Sequence, residues 1–201
     1  PAKRNAIAAA SKAAMLKTKP SPIYAHSVMD LVEIGNFDDD MARIAECDWI
    51  IEVVTERLDI KRAVFENVKR HRKPGSILST NTSGIPLKDM VAVMDDDMRR
   101  NFLGTHFFNP PRYLKLVEII PAPETDPALI AFMAEFLEGT LGKGVVYAKD
   151  TPNFIANRIL TFGSSYIMSE MKKDGLSIEE VDALTGPAVG HSSSATFRTV
   201  D

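Results

Sequence analysis

Apolar positions recur near helical spacing over residues 2–17, where Ile7, Ala10, Ala14 and Met15 approach one face, and Pro20 and Pro22 close the pattern. A helix followed by a turn is predicted. Residues 29–34 read as a short strand stopped by Gly35 and Asn36, and Asp38, Asp39 and Asp40 then open a short helix carrying Met41, Ile44 and Ala45. Acidic residues suit the positive end of a helix dipole, so this run reads as a solvated helix start rather than a metal site. Residues 49–54 are a continuous, β-branched apolar run, the pattern of a strand covered on both faces of a parallel sheet. A helix over 58–71 follows, with Ile60, Val64, Phe65 and Val68 on one stripe. Pro74 and Gly75 break it before a strand over 76–80. Strand, helix and strand make one βαβ unit, for which a right-handed crossover is the rule.

The pattern continues with a helix near 87–94, a strand over 101–107, a turn at Pro110 and Pro111, and a strand over 114–120. A helix over 126–141 ends at Gly142 and Gly144, and residues 145–147 form a last short strand. Beyond Asp150 the strands cease. Thr151 and Pro152 read as the N-cap and first residue of a long helix running through Ile155, Ile159, Phe162, Ile167 and Met171 to Gly175. Ser177 with Glu180 is a capping box for another helix. The expected fold class is α/β, a Rossmann-like doubly wound sheet over residues 1–150, followed by the start of an all-α domain over 151–201.

Composition narrows the function classes. The 24 Lys and Arg residues nearly balance 27 Asp and Glu, and the net charge of −3 is spread along the chain, which leaves no footprint for nucleic acid. A hydrophobic content of 45% with 25% charge is that of a soluble globular protein. No apolar stretch approaches the roughly 20 residues that cross a bilayer, so no membrane insertion is expected, and residues 1–20 lack the apolar core of a secretory signal. A single cysteine, Cys47, excludes an internal disulfide and a Cys-based zinc site and fits a reducing compartment. Set beside apolar residues on a short helix, it is expected to be buried and inert. No metal site is expected.

The first test of a dinucleotide-binding sheet is a glycine-rich turn between strand and helix. None occurs. Gly139, Gly142 and Gly144 lie between a helix and a strand, where capping explains them. Residues 79–84, with Asn81 and Ser83, are small and hydroxyl-rich and follow the carboxyl end of a buried strand, where open α/β sheets place their ligand crevice. The same segment also reads as an ordinary turn. His106 stands inside an apolar strand near its end, and Glu118 is embedded in the next apolar strand. A lone histidine so placed is commonly a core residue, but buried carboxylates are rare unless paired. If the two strands pair across the proline turn, His106 and Glu118 can meet. A carboxylate on one ring nitrogen fixes the tautomer and stabilises the imidazolium formed when the other nitrogen takes a proton, which makes the pair a general base. A purely structural pair is the alternative. In oxidation of a secondary alcohol such a base removes the hydroxyl proton, while groups such as Ser83 and Asn157 hold the oxygen. By pattern alone Glu56 and Lys61 read as surface residues, and His26, His71 and His191 have no spaced partner.

At these segments the chain resembles the L-3-hydroxyacyl-CoA dehydrogenase family. The matching blocks are residues 49–61, 79–83, 106–110, 115–118 and 150–158, in the family's order. Residues 109–113 and 194–198 look most like the long bacterial members, in which dehydrogenase and enoyl-CoA hydratase portions share one polypeptide. The resemblance implies that His106 is the catalytic base, Glu118 its orienting carboxylate, Ser83 the serine touching the substrate oxygen, and Asn157 an asparagine positioning substrate and base. It implies further that Glu56, Lys61, Asn81, Ser83 and Asn109 line the nicotinamide side of an NAD site. The expected activity is NAD-dependent oxidation of (S)-3-hydroxyacyl-CoA to 3-oxoacyl-CoA in fatty-acid β-oxidation. An acyl-CoA substrate, a homodimer formed through the helical domain, and a cytoplasmic location in a bacterium or the mitochondrial matrix in a eukaryote go with it.

Two departures stand out. Asn153 occupies a position where many relatives have Gly, a change expected to be tolerated. The first strand, its phosphate loop and the acidic residue for the adenine ribose are missing, and the resemblance implies that they lie upstream of Pro1. The chain opening on Pro1 is therefore expected to bind NAD poorly by itself. Two other readings remain at this level: a related dehydrogenase of a free hydroxy or sugar acid, and a non-catalytic, crystallin-like protein that keeps the fold.

Overall fold

The computed structural model describes residues 4–190 and 195–200. Ala2 and Lys3 of the first predicted helix, His191, and Ser194 of the 194–198 block lie outside the described residues. The chain divides into two compact units, Pro1–Phe154 and Ile155–Asp201.

The first unit begins with α1 (Ala6–Met15) and two short 3-10 helices, His26–Leu31 and Met41–Glu46. There follow β1 (Trp49–Glu52), α2 (Leu58–His71), β2 (Ile77–Thr80), α3 (Leu87–Met90), α4 (Asp96–Arg100), β3 (Phe102–Phe107), β4 (Leu116–Pro121), α5 (Pro127–Glu135) and β5 (Gly144–Tyr147). The strands form one sheet in the order β1-β2-β3-β4-β5. β1, β2 and β3 run parallel, β4 is antiparallel to β3, and β5 is parallel to β4. This is the Rossmann-like α/β sheet that the alternation of elements predicts.

Both faces are covered at the central strands, but β1 lies at an edge and ends at Glu52, and Ile51 is 41% exposed, so the expectation of a strand over 49–54 covered on both faces does not hold. Because side chains alternate along a strand, Phe102 and Leu103 point to opposite faces. Phe102 packs with Phe65, Val68, Leu78, Leu87, Met90, Met98 and Ile120, while Leu103 packs with Val117, Ile119, Leu129, Met133 and Leu137. Phe65 meets Phe102 edge-on, with ring centroids 5.3 Å apart. Gly104 carries no side chain for a steric reason: a Cβ there would lie 3.0 Å from Ile120 and 3.3 Å from Leu87. Its bareness lets α3 and β4 close over β3.

In the second unit α6 (Ala156–Asp174) ends at Gly175, whose φ of +69° favours glycine. The expected capping box opens α7 (Ile178–Thr185): Ser177 accepts from the Glu180 amide, and the Glu180 carboxylate accepts from the Ser177 amide.

Four further sequence expectations need correction. Residues 29–34 are not a strand: His26–Leu31 is a 3-10 helix, and the Val32 carbonyl accepts from Lys12 Nζ at 2.5 Å instead of joining a ladder. Cys47 is exposed, because the helix beside it ends at Glu46 and buries only Met41. The long helix starts at Ala156, not at Pro152, since Asn153 and Phe154 have φ of +62° and +46°. Finally, a helix at Asp96–Arg100, capped by Asp95, falls within the segment between the predicted helix and β3.

Candidate active site

The parallel strands β1, β2 and β3 end at Glu52, Thr80 and Phe107, and their carboxyl ends form the edge where doubly wound sheets bind ligands. His106 lies one residue before the end of β3. Antiparallel register sets it directly opposite Glu118 on β4. The two side chains share a face, and His106 Nδ1 lies 2.7 Å from Glu118 Oε2. The pair is enclosed, with side-chain exposures of 5% and 1%. Since a carboxylate only accepts, Nδ1 carries the proton of the neutral ring and Nε2 is left with a lone pair. Phe108 and Phe154 flank the imidazole, with centroids 4.5 Å and 5.6 Å away. Phe154 is buried despite its left-handed backbone, a conformation costly for a bulky residue and characteristic of constrained sites.

A second cluster lies where β1 and β2 end. Glu52 is buried in its apolar strand, and Lys61, one turn into α2, is 1% exposed. Lys61 Nζ is 3.0 Å from both Glu52 oxygens, 3.2 Å from Glu56 Oε2 and 3.2 Å from the Val54 carbonyl. Glu52 also accepts from Thr80 Oγ1 at 2.6 Å and from the Val54 amide at 2.6 Å. Removing one member of such a buried pair costs about 3–5 kcal/mol, because the other charge is left without compensation.

Glu56 is half-exposed, yet Oε1 accepts from the Thr82 hydroxyl and from the amides of Ser83 (2.9 Å), Gly84 (3.0 Å) and Ile85 (3.4 Å). Burial pushes its carboxyl up. The Thr82, Gly84 and Lys61 hydrogen bonds and the Lys61 charge together outweigh that effect and hold it below its ordinary 4.5.

The structure thus brings Glu56, Lys61 and the backbone of Ser83 together, and pairs His106 with Glu118. Lys61 is not the surface residue that its pattern implies. Asn81 bridges the strand ends, its Oδ1 accepting from the Phe107 amide at 2.9 Å. Ser83 and Asn109 are exposed in the turns after β2 and β3. Asn157 belongs to the second unit, in the first turn of α6. Sequence reasoning gave no role to Glu52, Thr80, Thr82 or Phe154. Glu52 carries the same signal that singled out Glu118, a carboxylate inside an apolar strand.

The family model described as 3-hydroxyacyl-CoA dehydrogenase, NAD binding domain, matches residues 2–151. A probable 3-hydroxyacyl-CoA dehydrogenase of Bacillus subtilis is 54% identical over 187 residues, covering 93% of this chain and 24% of that protein. One of Deinococcus radiodurans is 46% identical over 198 residues, covering 98% of this chain and 57% of that protein. The chain therefore spans between about a quarter and just over half the length of these curated relatives. Among solved structures, the (S)-3-hydroxybutyryl-CoA dehydrogenase of Ralstonia eutropha is similar with a TM-score of 0.66 and 29% identity, covering 75% of this chain and 52% of that one. On the family match, the chain belongs to the 3-hydroxyacyl-CoA dehydrogenase family, whose NAD-binding domain its residues 2–151 match.

Proposed function

We propose that this chain is part of an NAD-dependent enzyme that oxidises (S)-3-hydroxyacyl-CoA to 3-oxoacyl-CoA in fatty-acid β-oxidation. The observation that carries this reading is the enclosed His106–Glu118 pair, 2.7 Å apart at the carboxyl end of a parallel sheet. With Nδ1 donating to Glu118, Nε2 takes the proton of the substrate hydroxyl, and Glu118 balances the positive charge that develops on the ring. Ser83, exposed in the turn after β2, holds the substrate oxygen.

The nicotinamide half of an NAD site fits the residues present. The turn after β2 is small and polar, with Ser83 exposed in it. Asn81, Ser83 and Asn109 would hold that half, with Glu56 and Lys61 behind the turn. When bound, NAD supplies the hydride acceptor. The connection from β1 to α2, residues 53–57, contains no glycine and is not built to cradle a pyrophosphate.

A homodimer through the helical unit belongs to the same proposal, supported by exposed Ile159, Leu160, Phe162 and Tyr166 on α6. So does a location in the bacterial cytoplasm, or the mitochondrial matrix in a eukaryote. Among the described residues no helix is long and apolar enough to cross a membrane. The test is NADH-linked reduction of acetoacetyl-CoA by the full-length protein and by its His106→Gln variant. Wild-type turnover that the variant loses while remaining folded is expected, and an active variant refutes the assignment.

A further inference from the structure

We propose that the buried pair Glu52 and Lys61 is a positioning device for the turn that presents Ser83, acting through Glu56. Calling it a device of catalysis rests on the activity proposed above; the mechanical claim stands on the geometry.

The ammonium of Lys61 has three N–H groups, and the acceptors around it are Glu52, Glu56 and the Val54 carbonyl. Those acceptors engage its three donors, and one of them, Glu56, faces the turn after β2. Its contribution to the site passes through Glu56. Glu52 locates the ammonium, held in turn by the Thr80 hydroxyl at the end of β2 and by the Val54 amide just beyond β1. Glu56 places Oε2 on that ammonium and turns Oε1 towards four donors of the segment from Thr82 to Ile85. Thr82 closes the loop: its amide donates to Thr80 Oγ1 at 3.2 Å, and its Oγ1 accepts from the Ile85 amide at 3.2 Å.

One carboxylate therefore gathers three successive backbone amides, as a bound anion would, and a buried cation fixes that carboxylate. The backbone of Ser83 has few ways to move while the relay holds. A rigid turn matters for a hydroxyl that must meet an oxygen on which charge develops, because a donor displaced by about 1 Å loses most of its effect.

The test uses the full-length protein carrying Glu52→Gln with Lys61→Met, which removes both charges of the buried pair. Amide hydrogen exchange at Ser83, Gly84 and Ile85 is expected to quicken about tenfold or more, while Leu103 in the core of β3 keeps its rate. Acetoacetyl-CoA reduction adds a double-mutant cycle with Ser83→Ala. If the pair acts through Ser83, it lowers kcat in the wild-type background and has little further effect once the hydroxyl is gone. Exchange rates unchanged at the three amides overturn the proposal, and so does a kcat loss of equal factor in both backgrounds, the mark of a merely structural pair. If the double variant fails to fold, Glu56→Gln, which leaves the buried pair intact and alters only the half-exposed link, is held to the same readouts. A folded wild-type protein inactive towards acetoacetyl-CoA refutes the proposed activity instead, and the exchange rates then judge the relay by themselves.

Discussion

Replacing Glu118 with Gln keeps the volume of the side chain and a neutral acceptor for His106 Nδ1, but removes the charge facing the imidazolium that forms during proton abstraction. With Nδ1 and Oε2 2.7 Å apart, the two charge centres are separated by about 4 Å. At an effective dielectric constant of about 20, their attraction is worth about 4 kcal/mol. The surviving neutral hydrogen bond retains about half the strength of the charge-assisted one, so a barrier increase of about 3–4 kcal/mol is expected. That corresponds to a kcat lower by about 10² to 10³, at about 1.4 kcal/mol per decade. A flipped amide that donates to Nδ1 would impose the wrong tautomer and add to the loss. The assay is NADH consumption at saturating acetoacetyl-CoA, with circular dichroism as a check on folding. A folded Glu118→Gln protein within about threefold of the wild-type kcat refutes the charge-balancing role and leaves the pair structural.

Three further outcomes follow from the same geometry. Gly104→Ala places a methyl group 3.0 Å from Ile120 and should cost about 1–3 kcal/mol by overpacking, read as a fall in Tm; an unchanged Tm contradicts the packing described. Glu56 has a carboxyl held below its ordinary 4.5, so its contribution to stability is fully present above that value and is lost as pH falls through the lower folded value. Urea denaturation over that acidic range should show a smaller decline in Glu56→Gln than in the wild type, and parallel declines would refute it. The 201-residue chain, with no glycine-rich turn between strand and helix, should bind NADH weakly in a fluorescence titration, and tight binding would overturn that reading of its cofactor contacts.

Much of the sheet unit was legible because its apolar stripes are long and regular. The runs at β1, α2, β3, β4 and α5 each show one period. His106 and Glu118 stood out for the same reason, as ionisable residues interrupting apolar runs. The failures came where local pattern is weak. Residues 29–34 are apolar enough for a strand, yet Val32 gives its carbonyl to Lys12. At 151–155 the local signals of Thr151 and Pro152 lose to distant groups: Asp150 caps the Leu87 and Lys88 amides, and Phe154 buries its ring beside His106.

The division between the two levels is physical. Periodicity, capping and turn chemistry depend on neighbours in the chain, and from them the sequence alone determined the alternation of strands and helices, the capping box at Ser177, and the two ionisable residues worth watching. Whether a charge can be buried depends on groups that only folding brings near. Tertiary structure alone decided that His106 faces Glu118 in register, and that Lys61 leaves the surface for Glu52 and Glu56. It also decided that one carboxylate on the β1–α2 connection holds three amides after β2. A lysine nine residues beyond a glutamate carries no such message in the sequence, since the cost of burying either charge is offset only when both arrive at the same place.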